Sequence, residues 1–352
     1  MVYLRGMLLS SNSQSCECDR GTWRLAWLQT VTDILENHGR TTRPVISPRK
    51  ATLRSIVMTI IYHYCDATAF ISIIDKAELW LSNTRKMNDV SEVLLVEEVV
   101  LGRVGQHAKN GDISSEMEQE IRIDYELNKA NAFVCSFSRE ADSTIQWKSY
   151  ADQGRGFALG FDAKALWRNS RSSWRLGHAG PFYSPRRASP VENMLALTNV
   201  LYFGPREEEH LLGKVDSIIG AAKGVNLSVG ITDLILDTAS ICKDVSFKHE
   251  KEQRLVFTPL LGNGTVIMPK GSDGTLHLQP LMEMKWRTVR HGVTSYFAFP
   301  FAKGALTQVW LGPVNPDHID HTPQASERLL ETFLQARGYS AEVIHSKSPY
   351  RG

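Results

Sequence analysis

The uneven order of its short apolar runs is what most constrains this chain. Branched and aromatic residues cluster at Ile56–Tyr64, Leu79–Asn83, Phe133–Ser138, Gly156–Phe161, Val200–Phe203, Arg254–Leu260, within Trp286–Phe301, at Gln308–Leu311 and at Ala341–His345. Runs of this length and composition read as strands. Helical segments interrupt them irregularly. Asp66 starts one that reaches about Ala77, its carboxylate placed to accept from an early backbone N–H. Asp89 and Glu92 open another through about Val104, in a variant of the capping box. Ser114–Lys129 is helical, and Pro323–Arg337 is helical with proline at its start. Most of Glu207–Ile241 is helical too, with breaks expected at Gly220, Gly224 and Gly230, and Gly262–Gly274 reads as turns. Strand and helix do not alternate, so α+β fits better than a doubly wound sheet. The expected architecture is a mixed, largely antiparallel sheet, whole or split, with flanking helices. No period of about 20–50 residues repeats, which argues against a solenoid.

The length of 352 residues allows about two domains or one large domain with an appendage. Residues 1–54 read as an N-terminal extension: an amphipathic helix over Trp23–Glu36, then a linker over Thr41–Lys50 with Pro44 and Pro48. Residues 55–352 read as a single α+β domain. Longest apolar runs such as Ile56–Ile61 fall far short of the roughly 20 residues that cross a bilayer. Met1–Ser11 has too small an apolar core for a signal peptide, so a cytoplasmic protein with no membrane partner is expected. Five scattered cysteines (Cys16, Cys18, Cys65, Cys135 and Cys242) make no disulfide framework. Cys16 and Cys18 lack a second pair for zinc, and no metal is expected. The other three read as small buried hydrophobes.

The net charge of +2 conceals two opposed blocks. Asp89 to Glu126 holds ten acids and three bases. Ala163 to Val191 holds Lys164, Arg168, Arg171, Arg175, Arg186 and Arg187 and no acid, with Trp167, Trp174, Phe182 and Tyr183 interleaved. Bases and rings together suit phosphate contact and base stacking. A solvated loop paired with the acidic helices is the simpler account. Other patterns fail on spacing. Gly154-Arg155-Gly156-Phe157-Ala158-Leu159-Gly160 enters a strand instead of opening a helix, so it is not a dinucleotide fingerprint. The chain has no P-loop, zincin or nucleophile-elbow motif, and Asp317–His321 sits between prolines in a loop.

Three features carry chemistry. Tyr62-His63-Tyr64 lies near the end of the first strand of the body. Cys135-Ser136-Phe137-Ser138 puts both serines on one strand face, where a buried hydroxyl needs a partner. Glu250-Lys251-Glu252-Gln253-Arg254 brings two carboxylates to the mouth of a strand, directed to the same side. Such a pair suits a reaction that develops positive charge on a sugar. Each feature also has a plain structural account: a satisfied histidine, an edge strand with its serines in water, and a charged turn.

The ordered set formed by these segments resembles a family. It runs through Tyr62-His63-Tyr64, Leu79-Trp80-Leu81-Ser82-Asn83, Met87-Asn88-Asp89 with Glu92, and Cys135-Ser136-Phe137-Ser138. It continues through Gln146-Trp147 with Tyr150, Gly154 and Gly156, and Glu252 with Arg254. It is similar to a large, mainly bacterial family of unknown function, DUF2971, over a core of about residues 60–260, with C-terminal strands and a helix at 275–345. That family reads H-Y-T, L-W-x-S-N, M-N-D-x-x-E, S-F-S, Q-W-x-x-Y-A, G-x-G and E-W-R. Here Cys65 replaces the T of H-Y-T and Gln253 the W of E-W-R.

The order His, S-x-S, E-x-E is in turn similar to the ADP-ribosyltransferase arrangement. That resemblance implies an ADP-ribosyltransferase-like fold that takes NAD as substrate. His63 would anchor the ribose, Ser136 would shape the nicotinamide pocket, and Ser138 would support the pocket or the glutamate. Glu252 would be the catalytic glutamate and Glu250 would face the acceptor. Tyr64, Ser82, Asn83, Asn88, Asp89, Trp147 and Arg254 complete the expected NAD-binding set; Tyr64, Trp80, Trp147 and Tyr150 compete to stack on nicotinamide. The implied protein is a toxin or anti-phage effector whose acceptor is RNA, DNA or protein. The alternative is a nuclease or nucleic-acid-binding effector. Arg168, Arg171, Arg175, Arg186 and Arg187 would give it affinity, and Asp89, Glu92 and Glu252 could hold a divalent cation. A third reading is a non-catalytic interaction module. Whether His63, Ser136 and Glu252 share one cleft separates the enzyme from the module.

Overall fold

The structure is a computed structural model and describes residues 59–86, 91–166, 195–221, 227–259, 261–262, 265–270, 277–289, 292–316 and 323–351. The N-terminal extension with its expected helix, the Asn88 and Asp89 positions, and the arginines from Arg168 to Arg187 lie outside these residues.

Strand β3 (Phe133–Ser138) is the hub of the sheet because both of its edges are paired. One edge runs antiparallel to β8 (Glu252–Phe257) along its whole length, from Phe133↔Phe257 to Ser138↔Glu252. Two strands share the other edge. β2 (Glu78–Asn83) pairs at the start of β3, and β1 (Ile60–Cys65) meets only Ser138 at its end, through Tyr62. The ten-stranded sheet therefore branches at β3. One wing continues from β2 to β13 (Gly292–Pro300) and β12 (Lys285–Val289). The other runs from β1 through β4 (Phe157–Asp162) and β14 (Leu306–Leu311) to β15 (Glu342–His345). β5 (Leu195–Asn199) closes the far side of β8. All these pairings are antiparallel except β14–β15, so the mixed, largely antiparallel α+β class holds and the sheet is split.

Alternation along β3 decides what lies on each side. Phe133, Cys135 and Phe137 enter the main core with Leu255, Phe257 and Phe297. Helices α1 (Ala67–Lys76) and α7 (Pro323–Ala336) cover that core; Phe70 of α1 stacks on Phe157 with ring centroids 4.2 Å apart. Asp66 caps α1 by accepting from the Ala69 N–H at 2.7 Å. On the opposite face Val134 and Val256 meet Ile241, at the end of a helical layer. This layer comprises α2 (Ser91–Asn110), α3 (Ser115–Asn128), α5 (Pro205–Gly220) and α6 (Leu227–Ile241), which share a second core. The helical cover stops at Ile241. The next pairs along the strands, Ser136/Arg254 and Ser138/Glu252, are polar and border a cleft.

Several expectations are corrected here. Gly230 does not break its helix, because α6 is buried along its length. Burial outweighs the roughly 1 kcal/mol penalty of a helical glycine. The helix expected to end at about Val104 runs from Ser91 to Asn110. β5 was not expected. Part of Gly262–Gly274 is strand β10 (Thr265–Lys270), paired with β9 (Leu261–Gly262) and with β11 (His277–Glu283). Cross-strand pairing is not legible in local turn residues. Cys65, Cys135 and Cys242 are buried thiols outside any disulfide.

The Gly154–Gly156 turn follows α4 (Thr144–Tyr150) and is dictated by backbone contact. Gly154 has φ +84°, and a Cβ on Gly156 would lie 2.1 Å from the Cys65 carbonyl oxygen. The Gly156→Ala variant is expected to lose about 3 kcal/mol of unfolding free energy, the upper end for overpacking. Urea denaturation measures it, and a loss under about 1 kcal/mol would mean that the β1 end can move aside.

Candidate functional site

β1 and β3 part after Tyr62↔Ser138, and the gap opens a cavity of about 150 Å³. Tyr62, His63, Tyr64, Ser136, Phe137, Ser138, Gln146, Tyr150, Lys243, Phe247, Glu250, Glu252 and Arg254 line it. Each arrives for a local reason. Ser136, Ser138, Glu252 and Arg254 share a strand face through the β3–β8 register. Gln146 and Tyr150 come from α4. Lys243 comes from β7 (Cys242–Asp244), a short strand paired in parallel with β6 (Leu201–Phe203). A 3-10 turn over Val245–Glu250 carries Phe247 and Glu250. The two carboxylates converge because Lys251 turns the chain with φ +47°, not because both lie on the strand.

Four charges meet at the inner wall. Lys243 Nζ donates to Glu250 Oε2 at 2.6 Å and to Glu252 Oε2 at 3.2 Å. Arg254 Nε donates to Glu252 Oε1 at 2.8 Å and its Nη2 to Oε2 at 3.3 Å. Arg254 Nη1 also donates to the carbonyls of Ser240 and Cys242 at 3.1 and 3.5 Å, where α6 ends and a cation is favoured. Arg254 is 2% exposed and Glu252 6%, so these charges are screened little by water. Burial alone would raise the Glu252 pKa; Arg254 and Lys243 outweigh it and hold the carboxyl below its usual range. Tyr150 donates to Glu250 Oε1 at 3.3 Å. Its phenol is pushed up to about 12, first by burial and then by the neighbouring glutamates against Lys243.

The serines differ. Ser138 Oγ donates to the Glu250 carbonyl at 2.8 Å and accepts from the Glu140 N–H at 3.1 Å, which fixes the turn that presents Glu250. Ser136 Oγ is buried with no hydrogen-bond partner. It lies close enough to the Glu252 carboxylate to help keep it ionised, yet outside hydrogen-bond geometry. A buried orphan hydroxyl is costly in a purely structural strand. Tyr202 accepts the Glu252 N–H at 2.8 Å and holds the strand mouth.

His63 fills the split itself. Its Nδ1 donates to the Ser136 carbonyl at 2.9 Å and lies 3.7 Å from Cys135 Sγ. Burial lowers its pKa, against the opposing effect of the carbonyl. His107 on α2 is raised, chiefly by its bond to Asp216. The signs are opposite. Neutral His63 is fully present above its unfolded pKa of about 6.5, and its contribution to stability is lost as pH falls from there toward the folded value. The His107 contribution is full below that pH and is lost as pH rises through its raised folded value. Histidine NMR titration is expected to place the His63 midpoint below 6.5 and that of His107 above it; the reverse order would contradict the assigned burial and pairing.

Of the residues singled out in the sequence, His63, Tyr64, Ser136, Ser138, Glu250, Glu252 and Arg254 come together here. Ser82 and Asn83 do not, because β2 belongs to the other wing. Ser82 accepts from Arg287 at 2.9 Å, and Asn83 donates to the Ala130 carbonyl at 2.7 Å. Trp147 is fully buried behind the cavity, against Tyr64, and donates to Asp142 at 2.7 Å. Gln253 points to the opposite strand face and donates to Asn199 at 2.6 Å, so its replacement of tryptophan leaves Glu252 in place. Lys243 and Phe247 were missed. Their only signal in sequence was proximity to Glu250, and a lone Lys-x-x-x-Phe carries no pattern. Among the described residues no group of three or more His, Cys, Asp or Glu could hold a metal ion. Among them, too, no helix is long and apolar enough to cross a membrane.

Fold and site together define an α+β protein with a charged cleft at the branch point of a split sheet. Residues 146–255 match the model of a family described as protein of unknown function, DUF2971. The match runs from Gln146 to Leu255 and supports the DUF2971 resemblance over that stretch; the earlier motifs, from Tyr62 to Ser138, lie outside it. No curated protein and no solved structure matches the chain.

Proposed function

We propose that the protein is a NAD-consuming enzyme of the ADP-ribosyltransferase type, with the branch cleft as its active site. The observation that carries this reading is the convergence of His63, Ser136 and Glu252 on one cleft from strands far apart in sequence. A single aromatic ring with part of a ribose suits a cavity of about 150 Å³, smaller than the roughly 300 Å³ at which whole-ligand pockets begin. The adenylate half of NAD would lie outside it. Both lining cations, Lys243 and Arg254, are committed to carboxylates, so the pyrophosphate is not expected at the inner wall.

In this reading Ser136, Tyr150 and Phe247 border the nicotinamide, and Glu252 lies where the ring joins the ribose. The bond between the ribose C1′ and the nicotinamide nitrogen breaks, and its electron pair leaves with neutral nicotinamide. Positive charge develops on the sugar, where the Glu252 carboxylate, already held ionised, lowers the barrier. An acceptor oxygen or nitrogen, or water, attacks C1′ and gives up a proton. Glu250 lies beside Tyr150 on the acceptor side. The basic segment with Arg168, Arg171, Arg175, Arg186 and Arg187 favours RNA or DNA as acceptor, and a protein acceptor is the other option. A toxin or anti-phage role follows from NAD consumption or macromolecular modification in a cell.

The test is nicotinamide release from NAD by the purified protein, alone, with total RNA and with cell lysate. Release supports the reading, and the additive that accelerates it identifies the acceptor class. No release under all three conditions overturns it and leaves the charged cluster as a structural ion network.

A further inference from the structure

Lys243 stands out once the cluster is counted as charges. Glu250 and Glu252 supply two negative charges, and Arg254 neutralises one while tying β8 to α6. The second is neutralised by an ammonium on a short strand outside the main sheet. That ammonium lies 2.6 Å from Glu250 Oε2, 3.2 Å from Glu252 Oε2 and 4.8 Å over the Phe247 ring. Two carboxylates and an aromatic face are the groups that recognise a flat organic cation. The same cavity is bordered by the orphan Ser136 hydroxyl, a second feature lacking its natural partner. With the ammonium withdrawn, the inner wall carries a net negative charge in a setting with little water.

We propose that Lys243 is a tethered stand-in for a cationic ligand, its ammonium occupying the place between Glu250, Glu252 and Phe247 that a positively charged heterocycle takes. The ligand exchanges with the lysine, and the lysine swings out with β7 and the following turn. The empty site thus keeps its buried carboxylates paired, and neutral ligands, which cannot replace the lost ion pair, are rejected. The identity of the heterocycle as the nicotinamide end of NAD rests on the function proposed above; the exchange itself does not.

The test uses 1-methylnicotinamide as cation and nicotinamide as its neutral counterpart, titrated calorimetrically into the full chain. Lys243→Met is expected to bind the cation at least about tenfold more tightly than wild type, the equivalent of about 1.4 kcal/mol, with nicotinamide affinity unchanged. Lys243→Arg is expected to behave as wild type. Equal changes for both probes, or no cation binding to Lys243→Met, would overturn the proposal. Should Lys243→Met not fold, wild type still decides: amine acylation of Lys243 is expected to rise several-fold with saturating 1-methylnicotinamide and not with nicotinamide. Unchanged or reduced acylation would overturn the exchange. Because no turnover is measured, exchange without nicotinamide release would refute the NAD reading alone. Release without exchange would refute the role of Lys243 alone.

Discussion

Glu252→Gln is expected to lower nicotinamide release by about 10²- to 10³-fold, the range seen when one preorganised charge-stabilising group is removed from a dry site. The magnitude follows from geometry. The carboxylate is 6% exposed, and Arg254, bonded to both of its oxygens, holds it ionised, so its charge is in place at the moment of bond cleavage. Glutamine keeps the shape and an acceptor oxygen but lacks the charge. Glu250→Gln is expected to lose less release without acceptor, because Glu250 lies farther along the turn toward Tyr150. The comparison needs folded protein, since the substitution leaves Arg254 without its counter-charge; circular dichroism and a denaturant midpoint provide that control. A folded Glu252→Gln retaining more than about a tenth of wild-type release would show that this carboxylate does not stabilise the reacting sugar.

Arg254→Met is expected to lower the unfolding free energy by about 3–5 kcal/mol, the usual loss when one partner of a buried ion pair is removed. Arg254 bonds both oxygens of Glu252 and two carbonyls at the end of α6. Its loss therefore leaves two buried carboxylates to share the single Lys243 ammonium and uncaps the junction between sheet and helical layer. The double variant Glu252→Leu with Arg254→Met is expected to recover much of this loss. It removes a balanced pair and leaves Lys243 and Glu250 paired at 2.6 Å. Nicotinamide release, by contrast, stays lost in the double variant. Equal destabilisation in single and double variants would mean that the helix cap, not the ion pair, carries the energy. The distinction matters because a buried ion pair is weak evidence for stability and better evidence for a role beyond it.

Much of the scaffold was legible along the chain. Asp66 capping α1, the strand at Phe133–Ser138 with its serines on one face, and proline at the start of α7 are local effects. Each depends on a residue and its neighbours within a turn or a pleat. The misses share a different origin. β5 and β10 are strands because they find partners, and Gly230 stays helical because α6 is buried. Ser82 and Asn83 carry a motif as good as that of Ser136, yet the branching of the sheet sends them to the other wing. Lys243 had no motif at all, and a short strand and a left-handed Lys251 bring it to the glutamates.

The sequence by itself determined the α+β class, the antiparallel character of the sheet, the helix caps and the face on which each strand residue sits. These follow from steric periods of about 3.6 and 2 residues and from side chains reaching their own backbone. Only the tertiary structure decided that the sheet splits at β3, that His63 fills the split, and that two glutamates, a lysine and an arginine share one dry wall. Those outcomes rest on strand pairings between distant segments, Tyr62 with Ser138 and Ser138 with Glu252, which depend on the register of β1, β3 and β8 together and not on any residue alone.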